Sequence, residues 1–422
     1  MKERDSYGSC DPLENTVSQY KVQPNKSSRL VLSVFSFLAL LTFVIAINEN
    51  FNGSIGKIIS WGKISTLRQD TSNSNGDSEN DFPSWTLYRE GYSPLSYFTS
   101  DASSFLKYKF LDGNDAVIEP SAFMYLYVDG YDTSSGSDDA SSSHYKFEVC
   151  TEGVDMQCVK GTLHRDTSTP IKIACEPFQL FNVSVKEISS DGDMLGYDFG
   201  IATCMYVRRE IRSLTESHLN DTMNAMATLW YTSEEEGREK YGENFHNSTY
   251  IASAHYFGAG QQDADHIHEG LGFLLQHIKL TNIFELSIQA VDPSVSLPYW
   301  DFTIDTAEKI DTYDIPVFQE NMFGSLVKPK GSGWDYSSNS IDDAKIPDGR
   351  WANLKSEKNI WYSTMRNGYG YLRAPWNMNP SPYITRFISA HDFPGCSSYK
   401  SWLEKSSLMM FLKYAPGPPH AA

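Results

Sequence analysis

The sequence predicts a multidomain chain: a single N-terminal transmembrane helix, a β-sandwich-like domain, and then a mainly α-helical domain. Three observations carry this reading. An 18-residue run without a charged residue, Leu30–Ile47, follows a polar lead. Between about 85 and 203, short runs alternate apolar and polar residues, the period of a half-buried strand. After Cys204, apolar residues recur at intervals of three and four, the period of an amphipathic helix.

Composition bounds the possibilities. The 422 residues allow two or three folded units. Hydrophobic residues are 40% and charged residues 21%, fractions that suit globular domains and exclude a wholly disordered chain. The net charge of −18 repels phosphate backbones and excludes nucleic acid as a partner. A mean hydropathy of −0.41 excludes a multi-span membrane protein and leaves room for one span.

Residues 1–29 form a polar cytoplasmic tail. Residues 30–47 follow as a signal-anchor, with Lys21, Lys26 and Arg29 before it and Asn48 and Glu49 after it. The positive-inside rule makes this a type II, single-pass membrane protein with a lumenal or extracellular body. A cleaved signal peptide is the rival reading; the long lead and the lack of an A-x-A-like site count against it. Residues 48–84 are a linker, rich in Ser, Asn and Asp from about 62.

Residues 85–203 supply the strands. Phe123–Val128 is a short apolar run; Tyr145, Phe147 and Val149 alternate with polar neighbours, as do Ile171 and Ile173, and Phe181, Val183 and Val185. His144 and His164 look isolated there, solvated or packed. Cys150, Cys158, Cys175 and Cys204 lie within 55 residues and read as two disulfides of an oxidising compartment. The shortest-loop choice among three connectivities pairs Cys150 with Cys158 and Cys175 with Cys204; four free thiols is the alternative. Glycosylation triplets beyond the span begin at Asn52, Asn182, Asn220 and Asn247 and agree with that topology.

Residues 204–422 open with capping-box spacing at Ser213–Glu216 and an apolar stripe of Leu219, Met223, Met226 and Trp230. Next, His255, His266, His268 and His277 fall within 23 residues, a density that marks a metal-site candidate. His268 and His277 are nine apart and would face opposite sides of one continuous helix. They share a metal only if a helix starts between them, and Gly270 and Gly272 supply the break. Beyond it, Phe273, His277, Leu280, Phe284 and Ile288 form one stripe, which places His277 on the buried face.

The stretch HIHEGLGFLLQHIKLTNIFELSIQAVDPSVSLPYWDF resembles the first copper-binding segment of the tyrosinase and haemocyanin family, the type 3 copper proteins. The matching residues are His268, Phe273, His277, Phe284-Glu285 and Leu297–Asp301. Residues 207–226 resemble the helix that opens that domain, and 366–386 the segment before its second copper motif. The resemblance implies a tyrosinase-like domain over 204–422, built on a four-helix bundle that is incomplete here. It implies first-copper ligands at His268 and His277, with His255 as the third and His266 as the alternative. Phe284 would pack in the bundle, and Asp301 would fix the turn after the helix. Position 266 carries no cysteine, which excludes the thioether of some members, and Gln276 and Ile278 replace the usual tryptophan and arginine.

The second copper is where the sequence departs most. The family expects His-x3-His on one helix and a third histidine on the next. His420 sits at the first of these, the other two would fall beyond Ala422, and His391 is 29 residues too early. The expectation is a chain truncated within the second copper motif. The resemblance implies two copper ions in the intact protein, dioxygen as co-substrate, and oxidation of phenols or catechols to o-quinones. With one half-site the 422-residue chain is expected to be inactive as an oxidase. Three alternatives stay open: a haemocyanin-like dioxygen carrier, a membrane-tethered interaction module with a degenerate copper domain, and a zinc hydrolase using His266-Ile-His268.

Overall fold

The alternating runs form strands because each can bury one face and hydrate the other. In the computed structural model, residues 82–94, 116–131, 143–152, 156–165, 167–259, 267–268, 270–327, 344–357, 379–386 and 393–414 are described. All fall within one unit, Asp81–Ala422. Strands β1 (Trp85–Arg89), β3 (Phe123–Val128) and β6 (Ile171–Lys172) make a three-stranded sheet, ordered β1-β3-β6. Strands β2 (Ala116–Ile118), β4 (His144–Thr151), β5 (Cys158–Leu163), β7 (Leu180–Ile188) and β8 (Met194–Cys204) make a five-stranded sheet, ordered β2-β8-β7-β4-β5. Among the described strands β2 and β8 pair in parallel and the other ladders are antiparallel.

The two sheets share one core. Leu87, Met124 and Leu126 from the first are buried with Phe147, Val183 and Val185 from the second. The Phe147 ring lies directly over Gly161, where a Cβ would sit 2.3 Å from Cζ, so only glycine fits beneath it. Disulfides join Cys150 to Cys158 across β4 and β5, and Cys175 to the end of β8 at Cys204.

Helices follow: α1 (Glu216–Tyr231), α2 (Glu234–Tyr241), α3 (Ser248–Ala259), α4 (Gly270–Val291), α5 (Phe302–Glu308), α6 (Cys396–Leu403) and α7 (Leu408–Tyr414). The capping spacing read at Ser213–Glu216 is displaced by two residues. Thr215 caps α1, its hydroxyl accepting from the His218 amide, while the Ser213 hydroxyl donates to the Glu210 carbonyl in a 3₁₀ turn anchored by buried Ile211. The stripe read from sequence packs inward, with Met223 and Met226 in the core beside Phe245 and Ile288. Helix α4 packs against α1, α3 and α7.

The fold class expected from sequence is corrected in its first element, the membrane span. No helix among the described residues is long and apolar enough to cross a membrane, and Leu30–Ile47, read as the span, lies outside them, as do the tail and most of the linker. After Cys204 every named element among the described residues is an α-helix or a 3₁₀ turn, in line with the mainly helical reading. Past Val291 the described chain is short helices of seven or eight residues, 3₁₀ turns at Thr312–Asp314 and Pro316–Phe318, and loops. Pro293, Pro298 and Pro316 each remove a helix donor and disfavour helix in the preceding residue, which breaks the described chain between 292 and 318 into short pieces.

The sandwich and the helical part are joined by a buried ion cluster. Glu119, 2% exposed, follows β2. Its Oε2 accepts from Arg89 Nη1 at 3.1 Å and from Arg209 Nη1 at 3.0 Å, and its Oε1 from Arg209 Nη2 at 2.5 Å. Arg89 also donates to the Ser294 carbonyl at 2.7 Å, and the Arg209 guanidinium lies 4.0 Å from the Tyr92 ring centroid. Beside them His218 is buried, with Nδ1 2.6 Å from the Tyr92 hydroxyl. Burial first, and the Arg89 charge second, push its pKa down to about 4.

Two outcomes follow. Glu119→Gln leaves two arginines buried without their carboxylate and should cost about 3–5 kcal/mol in urea unfolding; a loss under about 1 kcal/mol would show that the cluster joins nothing. His218 titrates at about 4 folded against 6.5 unfolded. The unfolded chain thus takes up its proton first as pH falls, and about 3 kcal/mol is lost between pH 6.5 and 4. His218→Asn should flatten that part of the stability-versus-pH curve.

Candidate metal centre

Three of the clustered histidines meet in space although no two share a helical turn. His255 is on α3, His268 precedes α4, and His277 is in the second turn of α4. Ring centroids lie 5.1 Å apart for His255–His268, 5.5 Å for His255–His277 and 5.3 Å for His268–His277. One nitrogen from each ring lies within 4.8 Å of the others, and all three residues are half-buried. This is the one group of three or more metal-ligating side chains among the described residues.

The helix break expected at the glycines brings this about. Helix α4 starts at Gly270, so His268 approaches from outside its first turn while His277 points back along it. His277 Nδ1 lies 2.6 Å from the Phe273 carbonyl, one turn earlier. A carbonyl only accepts, so Nδ1 carries the proton and the lone pair is on buried Nε2. That hydrogen bond fixes ring and tautomer as a metal ligand requires.

Helix α4 is itself held from outside. Glu285 pairs with Arg208, which meets both carboxylate oxygens, and its Oε1 also accepts from the Leu297 amide at 3.0 Å. Ser287, fully buried, donates to the Ile283 carbonyl and accepts from the His246 amide. His246 Nδ1 sits 2.7 Å from Glu234 Oε1 and its ring stacks on Tyr250, so it braces the entry to α3 and is no member of the triad. Phe284 packs edge-on against Trp230. In the LPYWD run, Asp301 caps α5 through Thr303, and Trp300 Nε1 donates to Asp305 at 2.7 Å. His266, His391 and His420 lie outside the described residues.

Sequence reasoning missed the close approach that joins the two histidine segments. Ile267, 3% exposed, packs on Gly258 of α3, where a Cβ would lie 2.5 Å from Ile267 Cγ2. Glycine at 258 lets the segment bearing His268 seat against the helix bearing His255. The spacing of histidines gives no sign of it.

The donors suit a transition metal. Three neutral imidazoles without a carboxylate in the group favour copper or zinc over calcium or magnesium, and copper lies above zinc in the affinity order. The sequence profile for the common central domain of tyrosinase matches residues 241–387, a span that contains all three histidines. The match covers about a third of the chain. Among solved structures, a mutant polyphenol oxidase from Thermothelomyces thermophila is similar at 17% identity and a TM-score of 0.35. That match covers 51% of this chain and 60% of the other, so the chain spans less than two thirds of that protein. No curated protein matches the chain in sequence.

Gly258→Ala should push Ile267 and His268 away from His255. The expected result is about 10- to 100-fold weaker copper binding by competition titration, with native far-ultraviolet circular dichroism. Unaltered affinity would show that the contact does not set the triad.

Proposed function

We propose that His255, His268 and His277 hold one copper ion of an oxidase that converts phenols or catechols to o-quinones with dioxygen. The convergence of three half-buried imidazoles supports this reading, with the His277 tautomer set by the Phe273 carbonyl. Copper bound there supplies a redox centre for the coupled reduction of dioxygen and oxidation of the phenolic ring. The protein's part is placement. The α4 helix, held by Arg208 through Glu285, presents His277, the Gly258–Ile267 contact presents His268, and α3 presents His255. The family pattern calls for a second copper held by three further histidines, to which His420 would contribute. The reaction uses both ions, so catechol turnover by this protein depends on that second site. The two disulfides support a lumenal or extracellular setting for the chain.

Metal analysis tests the reading independently of turnover. The full chain, loaded with Cu²⁺ and desalted, should retain copper in a 1:1 ratio at the triad. His277→Ala and His268→Ala should each lose it while far-ultraviolet circular dichroism stays native. Retention of the same copper by both variants would refute the assignment.

A further inference from the structure

His144 and His164 are twenty residues apart and look unrelated in sequence, yet their rings stack at 5.0 Å with 20° between planes. That separation is no larger than any in the α3–α4 triad. The sheet register explains it. β4 and β5 pair antiparallel from Cys150 opposite Cys158 to Tyr145 opposite Leu163. One step further sets His144 opposite His164.

The same side of this hairpin carries a ladder of facing pairs. Tyr145, Phe147 and Val149 point into the core, leaving His144, Lys146, Glu148 and Cys150 on the other face. Cys150 is bonded to Cys158, Glu148 is paired with Lys160 at 2.8 Å, and His144 faces His164 at the open end. His144 is half-buried and His164 is exposed. The His164 amide donates to the Thr167 carbonyl at 2.7 Å, which holds the backbone beneath the exposed ring.

We propose that His144 and His164 form a second metal site, a cross-strand pair that chelates a divalent transition ion of the copper, nickel and zinc class. Directly opposite residues on one sheet face hold their Cβ atoms about 4.5–5.5 Å apart, a span across which two imidazoles can reach one ion at about 2 Å each. The strands are already paired and cross-linked by Cys150–Cys158, so little freedom is lost when the ion binds. Imidazole donors select this class of ion over magnesium and calcium. Two protein ligands leave the remaining positions to water, which makes this an open, weaker site than the triad.

The test is isothermal titration of the full chain with Ni²⁺, after Cu²⁺ loading and desalting to fill the triad. The wild-type chain should bind one more Ni²⁺ than either His144→Ala or His164→Asn, or bind it at least about tenfold more tightly. His164 is exposed, so its variant keeps the fold if His144→Ala does not. Equal Ni²⁺ stoichiometry and affinity in the wild type and His164→Asn would overturn the proposal.

Discussion

Arg208, Arg209 and Arg212 lie within five residues between β8 and α1, and each is held by a carboxylate from a different part of the protein. Arg209 reaches Glu119 beside β2, Arg208 reaches Glu285 on α4, and Arg212 reaches Asp305 on α5. The backbone of the same segment pairs with Tyr299, the amides of Ile211 and Tyr299 reaching the carbonyls of Tyr299 and Arg209. A charge-assisted pair between partly dehydrated groups is directional and costly to break on one side. Three such pairs on one short segment fix where sandwich, site helix and LPYWD turn stand relative to one another.

The metal centre inherits its geometry from that arrangement. Nothing in α3 or α4 alone brings His255, His268 and His277 together, because they sit on two helices and a connecting segment. Glu285 anchors the site helix two turns beyond His277, Ser287 ties it to the loop before α3, and Ile267 on Gly258 brings the connecting segment in. The final adjustment is local: the Phe273 carbonyl turns the His277 ring and leaves Nε2 as the ligand atom. Placement by several independent contacts is what a ligand set needs to hold within about 0.5 Å.

Two members of the triad were legible because their signal is local: dense histidines, a glycine break and a helical stripe place His268 and His277 without knowledge of the fold, whereas His255 came only from the family resemblance, with His266 as its rival. The strands were legible for the same reason, since alternation at Tyr145–Val149 and Phe181–Val185 needs a single buried face. The ion cluster and the His144–His164 pair could not be read at all. They depend on sheet register and on contacts between residues some 90 and 20 positions apart. Buried His218, too, gave no sign of its place, since its surroundings are Arg89 at the end of β1, Tyr92 and Glu119 just after β1 and β2, and Arg209 in the segment before α1.

X-ray absorption at the copper edge of the chain loaded with one equivalent of copper tests the central claim most directly. The account predicts a first shell of nitrogen at about 2 Å with the outer-shell pattern of three imidazoles and no sulfur, the pattern falling to two imidazoles in His277→Ala. A shell of oxygen alone, a sulfur shell, or an imidazole count unchanged in that variant would contradict it.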